Sequence, residues 1–418
     1  MESRTDVLVV GGGPVGACCA YELALSGAAV TLLERETDVC PAVSGAHANC
    51  GWIAQSHVTP LAYPGALGRG LRWLLDGSSP FYVAPRPSAD LARWLWLFRG
   101  ACTMERARAT MPVLRALNAA AATMHDELGS VHGDSWLYHR NGAVQVEETA
   151  AGMDGAREEA EIVRVHGGRA EELDAAATRE RLPGLLFEPA GSLFFPEDAH
   201  LDPLLFTTGV ARLAAEAGAS IATGTEALAL APDQRGVLVT TTRGELVAGQ
   251  VVLAAGAWTP GLVRKLGLRL PIEPAKGYSV DVDRPRGIPE LPVLLDEAHT
   301  VLTPLGNALR VGSTLELSGW DTSVRERRVR GLRLAAERAI GLPADGPYRQ
   351  LWRGPRPVTP DGLPVIARLP RRDRVIVAAG HCMLGLTLGP VTGRLVAELA
   401  GGRATSIDLA PLTATRWD

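Results

Sequence analysis

Long apolar runs are missing from this sequence. No uninterrupted stretch reaches the ~18 residues that a membrane-spanning helix needs, and 46% hydrophobic with 21% charged residues is a soluble, globular balance. An excess of one charge is missing too. Lys+Arg number 42 against Asp+Glu 46, a net −4, which offers nucleic acid or an acidic polymer no field to answer. Cysteine is sparse: six residues, at 18, 19, 40, 50, 102 and 382, without metal-type pairing or the density of a disulfide framework. No metal site is expected, and a reduced, cytoplasmic setting fits best. No basic, apolar and small-residue succession precedes the first strand, so no secretory signal is expected. Repeats and low-complexity segments are absent as well.

What is present begins at once. Asp6–Val10 reads as a strand, Gly11-Gly12-Gly13-Pro14-Val15-Gly16 as a turn opening a helix that ends near Gly27, and Ala29–Glu34 as a second strand. Gly11, Gly13 and Gly16 match the dinucleotide fingerprint. The first permits the tight turn, the second lets a pyrophosphate approach the backbone, and the third lets helix and strand pack closely. The helix N-terminus then offers free N–H groups and a partial positive charge to phosphate. Glu34 closes the second strand, where a carboxylate accepts from ribose hydroxyls and disfavours a 2′-phosphate. Strand, helix, strand and acid in register predict a nucleotide site.

At 418 residues the chain exceeds the roughly 250–300 over which one core usually grows, so two domains are expected. Thr37–Pro64 has little periodicity but enough apolar residues to be ordered, and is read as a segment laid over the cofactor; His47, Gln55, His57 and Tyr63 lie in it. Helices are expected over 65–75, 88–101 and 104–131. Their Trp73, Trp94, Trp96 and Phe98, with Arg69, Arg72, Arg93 and Arg99, form either a helical core or a patch that sits on an anionic membrane. Short strands are expected around 136–138 and 143–146, then helices near 150–166 and 173–186. A strand at 191–195, an Asp202-capped helix with Pro203 in its first turn, and strands at 220–223 and 237–241 lead to a buried strand ending at Ala254-Ala255-Gly256. Short strands between Gly277 and Gly312 suggest an antiparallel sheet, Thr322–Ile340 an amphipathic helix, and Val375–His381 a last buried strand before a glycine-rich turn and helix. The expected fold is therefore α/β, α+β overall: a Rossmann-like nucleotide domain in parts 1–64, 191–270 and 351–418, with a helical and substrate-domain segment at 65–190 and an antiparallel-sheet substrate domain at 271–350.

Four places carry a family resemblance: Gly11 to Glu34-Arg35; Ser44-Gly45-Ala46-His47-Ala48-Asn49-Cys50-Gly51; Ala254-Ala255-Gly256-Ala257-Trp258; and Trp352 to Pro364 with Ala379-Gly380-His381. Together they resemble the FAD-dependent amine and amino-acid oxidoreductases, the group of D-amino-acid oxidase, glycine oxidase and sarcosine oxidase, and within it the D-amino-acid dehydrogenase branch. The resemblance implies FAD in an extended pose. It assigns cofactor contacts to Gly11, Gly13, Pro14, Val15, Gly16, Glu34, Arg35, Ser44, Asn49, Gly51, Trp52, Ile53, Ala255, Gly256, Gly380, Leu384, Gly385, Leu386 and Thr387. It implies that Arg356, in Gly354-Pro355-Arg356-Pro357, clamps the substrate carboxylate; a bidentate guanidinium would fix the α-carbon over the flavin. Tyr278 is expected to share that carboxylate, His57 to be the candidate base, and His381 to set its loop. Two departures matter. His47 stands beside the loop position used for covalent attachment, which is Ala48, and Gly354 lies near the place of the sarcosine oxidases' cysteine, so non-covalent FAD is expected. Trp52 follows Gly51 where the dehydrogenase branch usually has glutamine, so the substrate name is not inherited.

The resulting expectation is hydride transfer from Cα–H of a neutral amine to flavin N5, giving an imine that water hydrolyses. The acceptor is a quinone, an electron carrier or O2. The alternatives are an oxygen-using oxidase of cyclic or N-methyl amino acids or of a biosynthetic intermediate, and a flavoprotein subunit of an electron-transferring complex. The location is cytoplasmic or peripheral on the inner face of the membrane.

Overall fold

A computed structural model of the chain describes residues 5–66, 68 and 81–417. Two sheets dominate it. The first runs in the order Ala227–Pro232, Val237–Thr241, Gly244–Leu253, Thr5–Val10, Val30–Leu33, Ser220–Ala222. The long strand Gly244–Leu253 serves two partners on one side: its start pairs antiparallel with Val237–Thr241, while Val251–Leu253 pair parallel with Val375–Val377. Strands from both ends of the sequence thereby join the strand Thr5–Val10 in one parallel core. Helices cover this core, and its strands are accordingly apolar runs rather than alternating ones, with Leu8, Val9, Val251, Val252 and Ile376 fully buried.

The first helix, Pro14–Leu25, carries Pro at its start and stops before Gly27, whose φ of +87° suits only glycine well. Against it lies the last helix, Gly389–Ala400, in backbone contact: a Cβ on Gly393 would stand 2.5 Å from the Cys18 carbonyl oxygen. Small residues at this crossing let the two helices approach more closely than ordinary side chains permit.

The second sheet has the order Gln350–Val358, Glu273–Asp283, Ala308–Leu317, Thr300–Leu305, Val293–Leu295, Ala143–Glu147, Gly191–Phe195, Glu171–Leu173. The helix Glu326–Ile340 buries Val329, Leu332 and Ala336 against Tyr278, Val280 and Val282 on one face of it. Side-chain alternation turns Ala275, Gly277, Ser279 and Asp281 to the opposite face. A two-stranded pairing of Trp52–Ile53 with Ala199–His200 ties the segment 37–64, which is ordered, to the body.

Several expectations change. Gly191–Phe195, placed by sequence with the nucleotide domain, pairs in the second sheet with Ala143–Glu147. All five of its residues are buried, and such a run identifies a strand without saying which sheet receives it. No strand forms at 136–138, where the 3-10 turn Gly133–Trp136 ends, and 173–186 divides into a strand ending at Leu173 and a short helix, Ala175–Arg181. The expected helix over 65–75 falls largely outside the described residues, as do Arg69, Arg72 and Trp73. The helix Ala89–Ala101 divides its aromatics: Trp94 is buried with its Nε1 donating to the Val358 carbonyl at 3.0 Å, whereas Trp96 is 70% exposed. No helix among the described residues is long and apolar enough to cross a membrane.

Candidate active site

A cavity of about 350 Å³ runs from the Gly11–Val15 turn, along the segment 41–49, to Arg356 between the two sheets. At its first end the glycines are fixed by backbone. A Cβ on Gly11 would sit 2.7 Å from the Ala254 carbonyl oxygen, and one on Gly16 only 1.8 Å from that of Gly11. Gly13 differs: the nearest atom to its Cβ position is Ser44 Oγ at 3.9 Å, so this stretch of backbone is open to the cavity. No side chain caps the helix that starts here, which leaves its first-turn N–H groups to an anion. Glu34 is 8% exposed; its Oε2 accepts from Gly12 N at 2.8 Å and its Oε1 from Glu36 N at 3.0 Å, fixing a carboxylate that keeps lone pairs for hydroxyls. The Arg35 guanidinium lies 4.5 Å from the Trp258 ring centroid, on the same wall. These groups suit a ribose and a pyrophosphate, and the cavity continues from them to Arg356.

The middle of the cavity is formed by the segment 41–49, which is anchored on three strands of the second sheet. Trp352 Nε1 donates to the Ala42 carbonyl at 2.9 Å, Ser279 Oγ to that of Ala48 at 2.6 Å, and Arg310 Nη1 to that of Asn49 at 3.0 Å. Gly45 rests on Pro355, whose carbonyl oxygen would be 2.3 Å from a Cβ. His47 turns its Nδ1 to the Cys40 carbonyl at 2.7 Å and does not line the cavity.

At the far end stands Arg356. It lines the cavity, donates one hydrogen bond, to the Thr314 carbonyl at 2.6 Å, and has no carboxylate within ion-pair distance among the described residues. Burial pulls its guanidinium below the ordinary value, against the opposing influence of Cys50; an arginine remains charged there all the same. His381 is the neighbouring wall. Its Nε2 meets Thr392 Oγ1 at 2.9 Å, and burial pushes its imidazole down to about 3, so it is a neutral ring that holds the turn.

Of the residues expected from sequence, Gly11, Gly13, Pro14, Val15, Glu34, Arg35, Ser44, Asn49, Ala255, Gly256, Gly385, Leu386 and Arg356 share this cavity. The others stand behind it. Gly16 lies under the turn; Gly51, at φ +66°, packs on the Leu201 carbonyl; Gly380, at φ +79°, packs on Thr359. Trp52 and Ile53 belong to the two-stranded pairing, where Trp52 Nε1 donates to Asp198. Leu384 is 7% exposed, and Thr387 directs its hydroxyl to the Trp52 carbonyl at 3.4 Å.

Tyr278 and His57 require correction. Tyr278 is 1% exposed, and its hydroxyl meets Glu316 Oε2 at 3.4 Å and the Ser323 carbonyl at 3.3 Å. It points to the helix-covered face of its strand, away from the face on which Gly277 meets Arg356 and Ser279 donates to the Ala48 carbonyl. His57 does not line the cavity either, and burial lowers its pKa. Sequence reasoning missed Thr225 to Leu228, which line the nucleotide end: Thr225 N donates to the Glu34 carbonyl at 2.8 Å. The only signal was the end of the strand Ser220–Ala222 beside the strand that carries Glu34.

Known proteins share this design. The FAD dependent oxidoreductase (DAO) family model matches residues 6–399. A D-amino acid dehydrogenase of Granulibacter bethesdensis is 32% identical, the match covering 98% of this chain and 99% of the relative; one of Xanthobacter autotrophicus is also 32% identical, with the same coverage. Among solved structures, glycine oxidase from Geobacillus kaustophilus superposes with a TM-score of 0.81 at 26% identity, covering 100% of this chain and 99% of its own. L-proline dehydrogenase from P. horikoshii has the same fold, with a TM-score of 0.79 at 20% identity over 100% and 98% of the two chains. With the family model matched over residues 6–399 and relatives matched over the full chain, the chain belongs to the FAD-dependent oxidoreductases of the DAO family, and FAD is its cofactor.

Proposed function

We propose that the protein catalyses the oxidative deamination of an amino acid, as its relatives named D-amino acid dehydrogenase do, with FAD bound non-covalently. The observation that carries this reading is Arg356, a buried guanidinium without a carboxylate partner at the opposite end of the cavity from the nucleotide site. FAD, when bound, supplies the acceptor for the hydride equivalent that leaves Cα. Arg356 binds the α-carboxylate and sets the direction of the Cα–H bond. The loop at Gly385 and Leu386, held by His381 and Thr392, forms the adjoining wall. Among the described residues Tyr278 and His57 do not line the cavity, and His381, held by burial at about 3, is a weak base, so the substrate enters with its amine neutral and water hydrolyses the imine after release.

Anaerobic titration of the holoenzyme with D- and L-amino acids, proline analogues and N-methylglycine tests this. Bleaching of the flavin band by D-amino acids is the expected result, and bleaching by none of these amines would overturn it. Slow recovery of the band in air would favour a quinone or electron carrier over O2 as acceptor. We further infer a cytoplasmic protein that touches an anionic bilayer through Leu95 and Trp96, 37% and 70% exposed, near Arg93 and Arg99. Co-flotation with phosphatidylglycerol vesicles, reduced in Trp96→Ala, checks that contact.

A further inference from the structure

The strand Ala308–Leu317 contains a defect beside Arg356. Pairing with Glu273–Asp283 is regular from Asp283↔Ala308 to Tyr278↔Ser313 and resumes at Lys276↔Glu316, so Thr314 and Leu315 together face Gly277. This is a β-bulge. Within it Thr314 has φ +74°, a left-handed conformation that a β-branched residue takes only under strain. The strained peptide has an identifiable product: the Thr314 carbonyl accepts from Arg356 Nη1 at 2.6 Å.

Gly277, opposite the bulge, supplies the other half of the arrangement. A Cβ built on it would lie 1.9 Å from Arg356 Nη1, 2.5 Å from Cζ and 2.6 Å from Nη2. The guanidinium therefore occupies the space that any other residue at 277 would fill with its own side chain. These distances place the Cβ position off the Nη1–Nη2 edge of the guanidinium, so that edge meets the strand and the Nε side lies away from Gly277. Of its five N–H donors, one is committed to Thr314.

We propose that Gly277 and the Thr314 bulge form a cradle that holds the Arg356 guanidinium in one orientation before substrate arrives, making both of them positioning residues for carboxylate recognition. This inference rests on the reading of Arg356 as the carboxylate clamp. Its physical advantage is preorganisation: a long, rotamer-rich side chain that is already fixed loses little further freedom on binding. A guanidinium fixed by that edge also presents its opposite, Nε side in one plane, in which a carboxylate can pair with it twice.

The test is a titration of the flavin absorbance of the holoenzyme with benzoate, a carboxylate without a reactive Cα–H, and with benzamide as its uncharged counterpart. Gly277→Ala is expected to weaken benzoate by about tenfold or more while leaving benzamide unchanged. Thr314→Pro, whose ring holds φ near −65° and cannot form the bulge, is expected to weaken benzoate similarly. A second readout needs no ligand. Gly277→Ala should lower the melting temperature when Arg356 is present and change it little in an Arg356→Ala background, where the space is free. Unchanged benzoate affinity in Gly277→Ala, or additive melting shifts in that cycle, would overturn the cradle while leaving the clamp in place. Unchanged benzoate affinity in Arg356→Ala would instead overturn the clamp itself.

Discussion

Glycine does different work at the two ends of the cavity. At the nucleotide end it gives room to backbone: Gly11 against Ala254, Gly16 against Gly11, Gly393 against Cys18. At the end that holds Arg356 two glycines give room to side chains: Gly277 to Arg356 and Gly312 to Cys50 Sγ. A backbone atom cannot be trimmed away by substitution, whereas a side chain can. The first end is therefore fixed by its geometry, and the second can be retuned by changing partners in pairs.

That contrast can be broken in graded ways. The largest expected effect is at Gly16, where an Ala Cβ meets the Gly11 carbonyl oxygen at 1.8 Å; Gly16→Ala should lose about 3 kcal/mol or more and most bound FAD, and no second substitution should rescue it. Melting curves and flavin content of the purified variant check this. Next is Arg356→Ala, expected to lower kcat/KM roughly a hundredfold, about 2.7 kcal/mol, mainly through KM and with FAD retained. Steady-state kinetics with equal flavin loading decide it.

Gly312→Ala brings its Cβ 2.6 Å from Cys50 Sγ and should cost about 1–3 kcal/mol. Unlike Gly16→Ala it should be rescued by Cys50→Ala, and a failure of that rescue would erase the contrast. A smaller effect is expected at Asp198, fully buried and accepting from Trp52 Nε1 at 2.9 Å, Ser56 N at 2.9 Å and Ser56 Oγ at 2.6 Å. Burial raises its pKa to about 7 against those hydrogen bonds. Between its ordinary value of 3.8 and about 7, the folded protein holds a proton that the unfolded chain has released, so this group makes stability fall as pH rises through that window. The slope approaches about 1.4 kcal/mol per pH unit, and Asp198→Asn should flatten it in melts between pH 5 and 8. The smallest effect is expected for Tyr278→Phe: kcat/KM within about twofold and stability lower by about 1 kcal/mol.

The same contrast decides what could be read from the sequence. The nucleotide end is legible because its determinants are close in sequence: turn, helix start, second strand and acid all lie between Gly11 and Arg35. Arg356 was legible through a compact motif. Tyr278 was not, because its role depends on which face of a strand a helix covers, and that helix begins at Glu326. The bulge at Thr314 leaves no mark in the sequence, since its register is set by pairing with a strand some forty residues earlier. Gly191–Phe195 was recognised as a strand but assigned to the wrong sheet for the same reason.

The meeting of the first and last helices bears on how the molecule is made. The helix Pro14–Leu25 is translated nearly four hundred residues before the helix Gly389–Ala400 that meets it at Gly393 and Cys18. At about 5–20 residues per second, that interval lasts on the order of 20 s or more. Throughout it the part of the first helix that meets Gly393 has no permanent cover, whereas Ala17 and Cys18 can already pack on Phe206 and Val210 of the helix Pro203–Glu216. A stall or truncation before the last helix would release a polypeptide prone to aggregate, not a smaller enzyme.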